Sequence, residues 1–241
     1  MVPGALLLDE ALAALAARRG LPYEALEVRH AKFVQPVRPD QGVEVSWEDV
    51  GAGSLDVRLQ GAGGPVAAFS VGTRGPLMSE RADPRLGAVQ ARVSRAQIGP
   101  LLPHGDRMCL LAAVRAWYAE GIEGLAVSHR DPTNPLRARD RLGAACAIEY
   151  AAQAMAVHGA LCASGPSQPG GALLAARDIR FFVARLDDIE EPLVIDCRAL
   201  AQDARGAMYR FQVGTATRLL VSGRATVQFV ALAGLGHAGQ A

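Results

Sequence analysis

The sequence predicts an α+β fold in which one unit, a helix followed by an antiparallel sheet of about four strands, occurs twice. Half of the 241 residues are hydrophobic, enough to bury a large core. A helical pattern followed by short strand patterns opens the chain, and the same order returns after residue 140. The two stretches can also be laid in register: VRHAKFVQPV (28–37) lies over ARDIRFFVAR (176–185), pairing Lys32-Phe33 with Arg180-Phe181, and Asp9 falls over Glu149. Self-similarity of this kind marks an internal repeat.

In the first copy, Leu6, Leu8, Leu12 and Leu15 fit one helical face from Pro3 to about Arg19, and Gly20-Leu21-Pro22 is a stop. Segments 26–37, 42–50, 54–60 and 65–72 are rich in Val, Phe and Leu and are separated by Gly-containing breakers, so they read as an antiparallel meander. The second copy begins earlier, with strand-like runs at 108–118 and 121–129, then a helix over 143–163, the breaker Gly165–Gly171, and strands near 173–184, 192–201, 206–214 and 218–231. Residues 74–97 are polar and Arg-rich and suit a linker between a partial first unit (1–73) and a complete second unit (98–241). The first unit lacks the leading strands, which predicts an uncovered sheet edge to be blunted by the linker or another chain. The repeat predicts a pseudo-dimer, with the two helices adjacent and the two sheets continuous or nearly so.

A net charge of +1 gives no general reason to expect nucleic acid or an anionic membrane as a partner. Lys32 is the only lysine among 25 basic residues, a bias that reads as genome composition. No apolar run reaches membrane-spanning length, and acids interrupt the apolar start, so a soluble cytoplasmic protein without signal peptide or anchor is expected. Cys109, Cys146, Cys162 and Cys197 have no metal-ligand spacing and read as reduced thiols. No metal or cofactor is implied.

Four segments carry a resemblance. LLPHGDRMCLLAAV (101–114) resembles an LPHR-x-P-x-LL-x-D-x-V segment, and PGALLLDEAL (3–12) resembles a Pro-Gly helix start with an acid six residues after the proline. AKFVQPVRPDQGVEV (31–45) is similar to (R/K)F-x-x-P-V-x-P-G-D, and IEYAAQAMA (148–156) to E-x-x-A-Q. Together they resemble the 3-hydroxyacyl-acyl-carrier-protein dehydratases of the hot-dog fold, including those of aryl-polyene and related pigment pathways. The resemblance implies a double hot dog, two long helices each wrapped by an antiparallel sheet, and a fusion of two hot-dog genes would account for Met78 between the copies.

It also implies roles. Glu149 is the leading general acid for the departing 3-hydroxyl, kept protonated by partial burial. Asp9 is its counterpart in the first copy, and Gln153, one turn from Glu149, orients substrate or water. The helix starts at Gly4 and at Gly143-Ala144 offer amides to the thioester carbonyl.

The family's GHFPG-type histidine loop, about fourteen residues before the helix acid, is missing from both copies. Met1 is only eight residues before Asp9, and NPLRARDRLGAACAIE (134–149) is shortened, with Pro135 at the histidine's place. His129, at the end of a strand before the shortened loop, and His104, in the leading segment, are the candidate replacements. His158 reads as a packing residue, and His30 and His237 have no motif support. A histidine from another hot-dog subunit would complete a site. The alternatives are a non-catalytic subunit stabilising an active dehydratase and a hot-dog thioesterase using the helix acid to position water. The expected partners are therefore an acyl carrier protein and a second hot-dog subunit. Arg137, Arg139 and Arg141, in the loop leading to the acid-bearing helix, are the expected carrier-protein contacts, with no matching acid nearby except Asp140.

Overall fold

The computed structural model describes residues 1–75, 92–102, 108–162, 170–203 and 206–230. His104, His237, Met78, most of the linker and most of the Gly165–Gly171 breaker lie outside the described residues. The elements of the first unit are α1 (Gly4–Arg19), β1 (Leu26–Phe33), β2 (Val43–Gly51), β3 (Ser54–Gly61) and β4 (Gly64–Thr73). A short strand β5 (Val93–Ser94) and a single helical turn α2 (Arg95–Ile98) follow. The second unit continues with β6 (Ala113–Tyr118), β7 (Gly121–Ala126), α3 (Ala147–Cys162), β8 (Gly170–Phe181), β9 (Leu193–Gln202), β10 (Gly206–Gly214) and β11 (Leu219–Val230).

Eleven strands form one antiparallel sheet in the order β2-β3-β4-β1-β8-β11-β10-β9-β7-β6-β5. The order β1-β4-β3-β2 in one half reappears as β8-β11-β10-β9 in the other, so the copies share a topology and their sheets join through β1 and β8. The register carries the repeat's symmetry. Glu27 pairs with Arg180 and Lys32 with Ala175, and these two pairs exchange under the shift that places Lys32-Phe33 on Arg180-Phe181. The local two-fold therefore passes between the two central strands.

Burial explains the helices. Leu8, Leu12 and Leu15 of α1 are buried together with Ala5, Ala11 and Ala16, and the chain leaves the helix at Gly20, whose φ of 63° and bonds to Ala16 and Ala17 form a left-handed cap. In α3 the alanines 147, 151 and 154 are fully buried, because small side chains let the sheet close around the helix.

Three boundaries differ from expectation. The run 108–118 is strand only from Ala113, and 121–129 leaves the sheet after Ala126 and becomes a short 3-10 turn at Ser128–Arg130. His129 is therefore on a turn and does not end a strand. The end of the expected linker is structured, since Ser94 and Gln97 close a capping box and Val93 pairs with Val114.

The uncovered edge falls on β2. Its counterpart β9 is covered by β7, whereas β2 ends the sheet. Glu44, Glu48 and Asp49 on this strand are exposed, so among the described residues the edge is blunted by its own carboxylates.

Candidate functional site

The two helix acids, alike in sequence, have opposite environments. Asp9 is 2% exposed. It accepts hydrogen bonds from the Tyr23 hydroxyl at 2.7 Å, from Arg141 at 2.5 Å and from the Ala145 backbone N–H at 3.3 Å. The first copy's acid is thus a cap on the second copy's central helix, placed where orphan amides favour negative charge. A Cβ at Gly143 would lie 1.8 Å from the Asp9 carboxylate, so only glycine permits this approach. The carboxylate and burial push the Tyr23 hydroxyl well above its ordinary pKa, burial contributing most.

These contacts correct one expectation. The second helix start does not offer free amides to a thioester, because the Ala144 N–H is bonded to the Ala184 carbonyl at 3.1 Å and the Ala145 N–H to Asp9. The space at Gly143 is filled by Asp9. At the first helix start the Phe33 ring packs on Gly4, 2.6 Å from where a Cβ would be, so Gly4 is a contact glycine with its face already covered.

The arginines of the shortened loop are also paired, against the expectation that they lack acids. Arg141 meets Asp9, Arg137 meets Asp187 at 2.9 Å, and Arg139 meets Glu10 at 3.0 Å. Asp187 additionally accepts from Arg185 and from the Leu142 N–H. Burial raises the Asp187 pKa, but the hydrogen bonds from Arg185 and Leu142 outweigh it and hold the carboxyl below its ordinary value. This cluster anchors the loop so that Arg141 points inward, whereas Arg139 projects outward with its side chain 87% exposed. Reversing Arg139 to glutamate should therefore change stability by no more than about 0.5 kcal/mol. Arg141→Met should lower the melting temperature by several degrees, because it strands a buried carboxylate. Thermal melts of the two variants check the contrast, and equal melts would refute it.

Glu149 is half-buried on the first turn of α3. Burial raises its pKa, with a smaller opposing effect from a hydrogen bond with Gln153. Gln153 is itself held at both ends: its Oε1 accepts from the Leu110 N–H at 2.9 Å and its Nε2 donates to the Met108 carbonyl at 2.6 Å. The amide that was expected to orient substrate instead ties the leading segment to the helix and braces the acid. Beside it, Tyr150 is bonded to Ser128 and Asn134, and Ser128 to the Leu110 carbonyl, which fixes the shortened loop to the same helix. Desolvation pushes the Tyr150 hydroxyl up to about 12.

His129 is fully buried, its Nε2 3.0 Å from the Ile189 carbonyl. With a carbonyl as partner, Nε2 carries the proton, and Nδ1 has no hydrogen-bond partner among the described residues. Burial lowers its pKa first, against a bond to Ile189, with Arg130 lowering it further and Asp187 raising it. His158 bridges the Tyr209 hydroxyl and the Tyr118 carbonyl, in keeping with a packing role. Tyr23 and Asp187 escaped sequence reading, since both act on residues distant in the chain; the Gly143 immediately before a helix was the one local sign of a close approach.

Residues 96–231 match the model of a family described as ApeP-like, ApeP dehydratase. A dehydratase domain of a mycocerosic acid synthase-like polyketide synthase aligns with a TM-score of 0.71 at 17% identity, covering 95% of this chain and 82% of that one. A monomeric dehydratase domain from a trans-AT polyketide synthase split module gives 0.72 at 10% identity, covering 95% and 90%. Identities this low establish the fold, which is the double hot dog. The dehydratase heterocomplex ApeI:P from Xenorhabdus doucetiae aligns with a TM-score of 0.50 at 25% identity, covering 57% of this chain and 93% of the matched one. No curated protein matches the chain.

Proposed function

This chain belongs to the ApeP-like dehydratase family, and from that premise we propose that it takes part in removing water from carrier-protein-bound 3-hydroxyacyl thioesters, giving 2-enoyl thioesters. Glu149 is the acid that protonates the departing hydroxyl. The observation that carries this reading is the contrast between the helix acids: burial favours the protonated, proton-donating form of Glu149, while Asp9 is committed to Arg141, Tyr23 and a helix end. A donor needs its proton near working pH, and desolvation shifts the Glu149 carboxyl in that direction. The base that takes the proton next to the thioester carbonyl is supplied by a histidine of a second hot-dog subunit. The match to a heterocomplex supports such a partner.

A second reading, a subunit that stabilises an active dehydratase without doing chemistry, is favoured by the full burial of His129 against the Ile189 carbonyl. The two readings separate in an assay of enoyl-thioester formation from a 3-hydroxyacyl carrier protein, using this chain alone, a histidine-bearing hot-dog partner alone, and both together. The acid reading expects little turnover from this chain alone and a rate for the mixture above the partner's own. If the mixture matches the partner at equal folded concentration, the chain contributes no chemistry.

A further inference from the structure

The outer face of the second unit's sheet carries a row of arginines. Arg177 on β8 pairs with Arg224 on β11, Arg224 with Arg210 on β10, and Arg210 with Arg198 on β9. Residues paired across antiparallel strands share a face, and Arg177, Arg210 and Arg224 are exposed while Tyr209, Phe211, Gly223 and Ala225 point inward. Strands lie about 4.8 Å apart, so the row runs about 15 Å across the strands. Asp178 and Asp196 pair with Arg224 and Arg198. Among the described residues Arg177 and Arg210 form no ion pair. Like charges set directly opposite each other are destabilising, so the row is a cost to the fold. Continued into the first unit it reads His30, Ser70 and Asp56, so the basic run is confined to the second unit.

A second row runs beside the first. Met208, two residues before Arg210, is 37% exposed, Leu200, two residues after Arg198, is 53% exposed, and Leu174 on β8 is 42% exposed. Met208 pairs with Thr226, and Leu200 and Leu174 fall at irregularities of the neighbouring registers, on the same side of the arginines along the strands. The face is thus a basic stripe flanked by an apolar one, with about 7 Å between them.

We propose that this face docks an acidic amphipathic helix of a partner protein, lying across the strands. Arg177 and Arg210, the two without an ion pair, lie two strands apart, about 10 Å, close to the advance of two helical turns at about 5.4 Å each, so carboxylates two turns apart meet them while an adjoining apolar flank covers Met208 and Leu200. Arginine forks suit paired recognition of carboxylates. The apolar row favours a helix over a nucleic acid backbone, which has no use for it. The arginines of the shortened loop are unsuited to this task, since Arg137 and Arg141 are turned inward.

The test uses the full chain and a fluorescein-labelled helical peptide with glutamate at every fourth position and leucines on the adjoining flank, read by anisotropy at low and at physiological salt. The proposal expects salt-sensitive binding, weakened at least about tenfold at low salt by Arg177→Glu with Arg210→Glu. It expects Met208→Ser with Leu200→Ser to weaken binding several-fold at both salts. The double reversal should melt no lower than wild type, because it relieves like-charge opposition. Binding that survives the reversal overturns the proposal. So does equal binding of a single-stranded oligonucleotide together with indifference to the Met208 and Leu200 changes, which would mean general attraction of polyanions. Glu149→Gln should leave peptide binding unchanged, and a loss there would place the peptide in the Glu149 site and overturn the proposal.

Discussion

Glu149→Gln is expected to lower the dehydration rate of the reconstituted complex about 10²- to 10⁴-fold while leaving carrier-protein binding near wild type. The amide preserves size and most hydrogen bonding but has no proton to give, and general acid catalysis is worth about that range. The pH dependence supplies a second readout. Burial raises the Glu149 pKa, so the folded state holds the proton more tightly than the unfolded chain. The stability this confers is complete below the unfolded pKa of about 4.3 and is lost as pH rises through the higher folded value. Glutamine does not titrate, so the variant should gain melting temperature relative to wild type as pH rises through that window. A variant that loses activity but shows no such relative gain would mean that Glu149 is not held protonated in the fold. A variant with wild-type activity would remove chemistry from Glu149.

Gly143→Ala should destabilise the protein by about 2 to 4 kcal/mol, somewhat below the usual cost of breaking a fully buried ion pair because Arg141 is partly solvated. For a chain of this size that is a fall in melting temperature of roughly 4 to 16 °C. The backbone is not the reason. Gly143 has φ −73°, which alanine adopts freely, but the added methyl would overlap the Asp9 carboxylate. Asp9 must then move, and Arg141, Tyr23 and the Ala145 N–H lose their acceptor together. Asp9→Ala should cost a similar amount by the direct route. In the Asp9→Ala background the Gly143→Ala change should be nearly free, because the methyl enters space the carboxylate has left. The signature is strong non-additivity, measured by thermal and denaturant melts of the four proteins. Additive losses would show that Gly143 and Asp9 act separately.

The sequence by itself determined the repeated unit, since hydrophobic periodicity and breakers are local properties and two copies of one pattern must make two copies of one unit. It determined that Asp9 and Glu149 occupy matching helices, and that the stretch 134–149 leading to Glu149 contains no histidine. The Ser94-Gln97 capping box is a short-range signal as well, but the linker reading of 74–97 passes over it. The sequence did not determine what each acid does. Asp9 and Glu149 differ because the shortened loop, anchored by Asp187 from elsewhere in the second unit, swings Arg141 against one of them. That contact spans 132 residues and has no local trace. The arginine row is tertiary for the same reason. Arg177, Arg198, Arg210 and Arg224 are scattered along the chain, and only the registers of four strands align them. Spacing along a chain reports which residues can share a face of one element; charge pairing and burial depend on which elements meet, and packing decides that.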